Sequence, residues 1–230
     1  MRPSPKLLSA AIALALTASC ATTSQSAGIE NVDSLVSRVE RVHLEVELSK
    51  QAVYEALVSL APLVGERFEG DPATSFERFA LAAEASNAQA EALSAQVLPM
   101  RNSADVVFET WTKSLDEFKS ERMRKRSERR LDATRERFAV VFEAATGIEE
   151  DLASLNAELS DLALFLGHDF NVAAVEEIRE DALQIRDAAR ALGKEMDDCM
   201  DAAARYVHEA ALRGQVQAAP AEGPQGAAGE

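Results

Sequence analysis

The sequence predicts an all-α fold, an elongated antiparallel bundle of three to four long helices with coiled-coil-like heptad packing. Three observations carry that expectation. The 230 residues include only 10 Gly and 7 Pro, while Ala, Glu, Arg and Leu dominate the centre of the chain. Apolar residues recur there at alternating spacings of three and four, the seam of left-handed helix packing. Turn-forming residues gather at only a few places, so the elements between them must be long.

The first element precedes the bundle. Arg2 and Lys6 stand before an apolar run from Leu7 to Leu16, and Thr17, Ala18 and Ser19 lead into Cys20. That order of charge, apolar run and small residues is a secretory signal peptide over residues 1–19. The run is about ten residues, roughly half of what spans a bilayer. Leu16 to Cys20 resembles a bacterial lipobox, with Thr17 where Leu is usual. Cys20 is therefore expected to carry lipid and to begin the mature chain, and several acyl chains on one residue anchor stably where one does not. Ala21 in place of Asp resembles the signal for the outer membrane, which would leave the bundle facing the periplasm. With Cys20 consumed, Cys199 is the remaining thiol and no internal disulfide can form.

Residues 20–30 read as the lipidated cysteine and a flexible spacer rich in Thr, Ser, Gln and Ala. The bundle domain is expected over residues 31–213. The last stretch, residues 214–230, is Ala, Gly, Pro and Gln with little apolar bulk, and is expected to be a disordered tail.

Within the bundle, a first helix from Asn31 to Gly65 carries Val32, Leu35, Val39, Val42, Val46, Val53 and Leu60, a seam with gaps. Asp71 and Pro72 form an N-cap and first-turn proline for a second helix reaching about Ser120. Its seam, again with gaps, runs from Phe79 through Leu93, Val97 and Met100 to Trp111. Lys119, Ser120 and Glu121 offer the reversal into a third helix, whose seam from Phe138 to Leu166 is unbroken. Gly167 is placed as a C-terminal glycine cap. Asn171 then caps a fourth helix, with Phe170 and Val175 as a hydrophobic staple, and its seam runs from Val175 to Ala210. Phe142, Leu183 and Val207 widen the stripe beyond a two-stranded seam, which favours a bundle over a dimeric rod. Pro99, Gly147 and Gly193 fall at nearly one height when the helices are folded back, suggesting a shared bend or a close backbone approach.

Phe108-Glu109-Thr110-Trp111 with Leu115 and Phe118, Arg126 to Leu131 with Thr134 and Phe138, and the reversal His168-Asp169-Phe170-Asn171 resemble the domain of unknown function 2959 family of bacterial lipoproteins. The resemblance spans Val32 to Val207. It implies lipoprotein class and helical fold, and carries over no catalytic residue, because the family has no established activity.

Charge excludes one class of partner. There are 39 acidic residues to 24 basic, a net charge of -15, and loss of Arg2 and Lys6 with the signal makes it more negative. Such a chain repels nucleic acid phosphates. No phosphate-cradling loop or nucleophile motif occurs, so no catalytic residue is assigned. Glu40 and His43 have the spacing of a di-iron ligand pair, but the second pair such sites require is missing, and no metal or cofactor is assigned. Cys199 on the fourth seam reads as a small buried hydrophobe, with Asp197, Asp198 and Asp201 expected to raise its pKa. Trp111 reads as part of an aromatic core cluster.

The one basic concentration is Arg122, Arg124, Lys125, Arg126, Arg129 and Arg130, at the reversal between the second and third helices. If the first helix leads away from the lipid, that reversal returns to the membrane side, where these residues could contact an anionic surface. The expected function is a non-enzymatic, lipid-anchored envelope protein, a helical scaffold, spacer or adaptor with a protein partner. The alternative is a carrier or sensor holding a small apolar molecule or metal within the bundle.

Overall fold

The computed structural model describes residues 21–65 and 70–210. The signal peptide, Cys20 and the tail at 214–230 lie outside the described residues. Every regular element among them is helical: α1 (Ala21–Leu60), α2 (Pro72–Ser114), a 3₁₀ turn at Leu115–Glu117, α3 (Glu121–His168), α4 (Val172–Glu177) and α5 (Arg179–Ala210). The predicted all-α bundle is the observed fold. At about 1.5 Å per residue, α3 alone is about 70 Å long.

Local chemistry sets the helix ends. α1 begins at Ala21, so residues 21–30, expected as a spacer, are helical; no proline interrupts them, and a formed helix propagates backward at little cost. It stops at Leu60 rather than Gly65 because Pro62 has no N–H and disfavours helical backbone at Ala61. Asp71 caps α2 as predicted, accepting from the Thr74 amide at 2.8 Å, with Pro72 in the first turn. The Thr74 hydroxyl, which donates to the same carboxylate oxygen at 2.6 Å, and then the amide hold the Asp71 carboxyl below the usual carboxylate range. α2 ends at Ser114, earlier than expected, and the 3₁₀ turn leads to Ser120, which caps α3.

Gly167 is not the expected glycine cap. α3 continues to His168 and Asp169 closes it, and among the described glycines only Gly70 has a positive φ. Gly167 instead makes room for a ring: a Cβ there would meet Cζ of Phe76 at 3.2 Å. Asn171 caps α4 through the amides of Ala173 and Ala174, and Phe170 and Val175 both pack against the core. The predicted fourth helix is thus α4 and α5, joined at Ile178.

α1 packs on α2 and α5, α3 packs on the same two, and the α1–α3 diagonal is nearly empty. The order around the axis is α1, α2, α3, α5, each antiparallel to its neighbours. Cross-helix contacts give the register: Gln89 donates to Glu45, Ser94 to Glu149, and Lys50 pairs with Asp197.

One apolar core runs the length of the bundle. On α3 the buried positions from Phe138 to Leu166 are the predicted seam with one addition, Asn156. The gaps in the α1 and α2 seams are filled by small side chains, Ser49, Ala56 and Ser86, all buried. Short side chains let backbones approach, and α1 and α2 make the most extensive close contact in the bundle. Buried Ser86 donates to Asn156 Oδ1 at 2.7 Å, and Asn156 Nδ2 donates back to the Ser86 carbonyl at 3.2 Å. Leu183, expected to widen the stripe, is exposed, while Val207 is buried and Phe142 partly so.

Pro99, Gly147 and Gly193 do not mark a close approach. α2, α3 and α5 run on through them, and a Cβ on either glycine would meet nothing within 4 Å.

Candidate functional site

One end of the bundle gathers the N-terminal part of α1, the α2–α3 connection and the C-terminal end of α5. The opposite end holds the α1–α2 and α3–α4 connections, where Leu63, Pro72, Phe170 and Val175 border a small cleft. Cys20 lies outside the described residues; Ala21, the next in sequence, is at the end with the α2–α3 connection. The predicted basic stretch therefore occupies the tip on the α1 N-terminal side.

The six basic residues predicted for an anionic surface separate into different environments. Arg124 is engaged by Glu121 and Glu128, with Nη2 to Glu121 Oε2 at 2.8 Å and Nη1 to Glu128 Oε1 at 3.1 Å. Its guanidinium holds the Glu121 carboxyl below the usual range, and Glu121 holds Arg124 above its own. Lys125 also approaches Glu121, at 3.5 Å. Arg122 is exposed. Arg126, Arg129 and Arg130, at i, i+3 and i+4 on one face of α3, line a groove of about 490 Å³ together with Arg137 and Glu209. These three make no ion pair with the described residues, whereas Arg137 Nε meets Glu209 Oε2 at 3.1 Å.

A second, larger cleft of about 580 Å³ shares Arg130, Arg137 and Glu209 as a common wall with that groove. Its floor is apolar: Val32 and Leu35 from α1, Val107 and Trp111 from α2, and Tyr206 and Ala210 from α5. Lys113, Asp33 and Glu117 stand on its rim. Trp111 is half-buried against the core, and its Nε1 donates to Ser127 Oγ at 2.8 Å. It lies beside an aromatic cluster in which Phe138 meets Phe108 edge-on at 5.7 Å and Tyr206 at 6.0 Å. Burial pushes the Tyr206 phenol up to about 12 despite the opposing charge of Arg137, so it stays a neutral hydroxyl. Sequence reasoning missed Arg137 and the cleft floor; a signal for Arg137 existed, since it stands two helical turns beyond Arg130.

Cys199 is fully buried, and burial raises its thiol to about 11. Desolvation is the cause, not the neighbouring aspartates invoked from sequence. Glu40, His43 and His208 come together along a groove between α1 and α5. His43 Nδ1 lies 3.2 Å from the carbonyl oxygen of Met200 on α5, a contact that ties the ring to the adjacent helix. Among the described residues no group of three or more His, Cys, Asp or Glu is arranged to hold a metal, and no helix is long and apolar enough to cross a membrane.

No curated protein and no solved structure matches the chain. The profile of one family, described as protein of unknown function (DUF2959), matches residues 21–210, the whole of the bundle, and the chain belongs to that family.

Proposed function

We propose that this protein is a non-enzymatic, lipid-anchored component of the bacterial envelope, a helical scaffold or adaptor that stands on the outer membrane and binds another envelope protein. The leader and the lipobox-like Leu16 to Cys20 support the anchor. A bundle whose α2–α3 tip shares the α1 N-terminal end supports an upright stance, with the far connections extended into the periplasm.

The observation that carries the adaptor role is the outward face of α1. Leu44, Leu48, Tyr54 and Val58 are 42, 44, 62 and 53 % exposed. At about 100° per residue they fall within about a third of the helix circumference. Apolar side chains interleaved there with exposed Glu47, Gln51 and Glu55, on the outside of a bundle whose core is already complete, favour a mixed partner surface over a packing requirement. A photo-crosslinking residue at Tyr54 in intact cells should trap a discrete adduct with a different envelope protein. An adduct with a second copy alone, or none, would overturn the adaptor reading. The anchor has its own test: Cys20→Ser should move the protein from the membrane to the soluble envelope fraction, and unchanged retention would refute it.

A further inference from the structure

We propose that the cleft at the α2–α3 end binds one anionic phospholipid from the membrane, its acyl chain over the apolar floor and its phosphate against Arg126, Arg129 and Arg130. The inference rests on the proposed stance at a membrane for the source of the lipid and extends it from a surface contact to a site.

Two adjoining spaces have the two chemistries of an amphiphile. The larger, about 580 Å³, is floored by Val32, Leu35, Val107, Trp111 and Tyr206, and lies within the size of small-molecule sites, about 300 to 1,000 Å³. The smaller is walled by guanidinium groups. They adjoin at Arg130 and Arg137, close enough for the two ends of one amphiphile to be placed against both.

Charge selects the occupant. In a chain with 39 acidic residues to 24 basic, Arg126, Arg129 and Arg130 are left without a carboxylate partner among the described residues, while Arg124, on the same helix, is engaged by two. Glu209, the acid on the shared wall, is neutralised by Arg137. Three guanidiniums on one helix face suit a phosphate, which accepts their paired N–H groups in a bidentate manner. Two other occupants answer this chemistry less well. The lipid expected on Cys20 has acyl chains and no anionic group. The chain beyond Ala210 offers only Leu212 and Val216 as bulky apolar side chains, and its nearest acid is Glu222.

Trp111 is the sole tryptophan of the chain and lies on the cleft floor, so its fluorescence reports occupancy. The full chain in neutral detergent micelles is titrated with phosphatidylglycerol brominated on its acyl chains, and separately with brominated phosphatidylcholine. Saturable quenching by the anionic lipid at about one per chain is expected, with little quenching by the neutral one. Arg126→Gln, Arg129→Gln and Arg130→Gln combined should remove that preference while leaving the helical signal and melting temperature unchanged. Equal quenching by both lipids, or an unaltered preference in the triple variant, would overturn the site. Cys20→Ser and a chain ending at Ala210 should be quenched as the wild type is. Quenching that appears only in one of those two would assign the cleft to the protein's own lipid or tail, and overturn the proposal. The micelle assay does not need the anchor. Failure here with Cys20-dependent membrane retention defeats the lipid site alone; quenching here without that retention defeats the anchored reading alone.

Discussion

A Cβ on Gly167 would press on the Phe76 ring at 3.2 Å, whereas one on Gly147 or Gly193 would meet open space. Gly147 and Gly193 lie in helix interiors, where Ala is favoured over Gly by about 0.5 to 1 kcal/mol, and Gly167 lies in the last turn of α3. Gly147→Ala and Gly193→Ala should each raise the unfolding free energy by about that amount, while Gly167→Ala should gain less, because the ring must shift. Urea unfolding of the three variants decides it, and a lowered midpoint for Gly147→Ala or Gly193→Ala would contradict the open-space reading. The glycines also show where sequence legibility stops. A glycine near the end of an apolar seam reads as a cap, but Gly167 is kept small by Phe76, a residue far away in sequence on another helix, which no local pattern encodes. Cys199 was easier: a seam position implies burial, and only the cause of the raised pKa needed the structure. Its thiol should react with a disulfide reagent many-fold more slowly in the native protein than in denaturant, and equal rates would show that the seam opens.

The helices themselves were largely legible, because an unbroken three-and-four alternation admits one face and one period. On α3 the predicted seam from Phe138 to Leu166 is the buried face. What the pattern could not supply were its gaps. Ser49 and Ser86 are polar and Ala56 is too small to mark a seam by itself, yet all three lie in the core where α1 and α2 approach most closely. Asn156 was hidden for the same reason. Its reciprocal bonds with Ser86 tie α2 to α3 at one height, and a buried polar pair of this kind favours a single register over a sliding one. Asn156→Ala should cost about 2 to 3 kcal/mol, since it opens a void and strips Ser86 of its partner. Asn156→Leu with Ser86→Ala should recover most of that loss. Calorimetric melting checks both, and a double variant as unstable as Asn156→Ala would show that the pair contributes more than its volume. The cleft was not legible, for its floor comes from the ends of three helices that are far apart in sequence.

The whole molecule holds a large excess of negative charge on a narrow rod. Glu195 is raised above the usual carboxylate range by desolvation, and then by the nearby Asp151 and Asp198. A carboxyl raised in the folded state binds its proton more readily there than in the unfolded chain, so stability falls as pH rises through the window between the two values. Asp71 and Glu121 are lowered, so their contribution is lost only when pH falls below the ordinary carboxylate range. Stability should therefore peak on the acid side of neutrality, and added salt should raise the melting temperature at pH 8 by screening self-repulsion. Melting curves from pH 4 to 8 at two salt concentrations test this; a steady rise towards pH 8 would contradict it. The shared position of the α1 N-terminus and the α5 C-terminus has a mechanical side as well. A load applied between an anchor at Cys20 and the chain beyond Ala210 would pull α1 and α5 apart from one end, opening their interface a turn at a time like a zipper. A load between the anchor end and the far connections would instead shear every interface along its length at once. The same bundle is compliant to a tug on its own two ends and stiff to a pull along its axis, as a strut between a membrane and a distant partner would need to be.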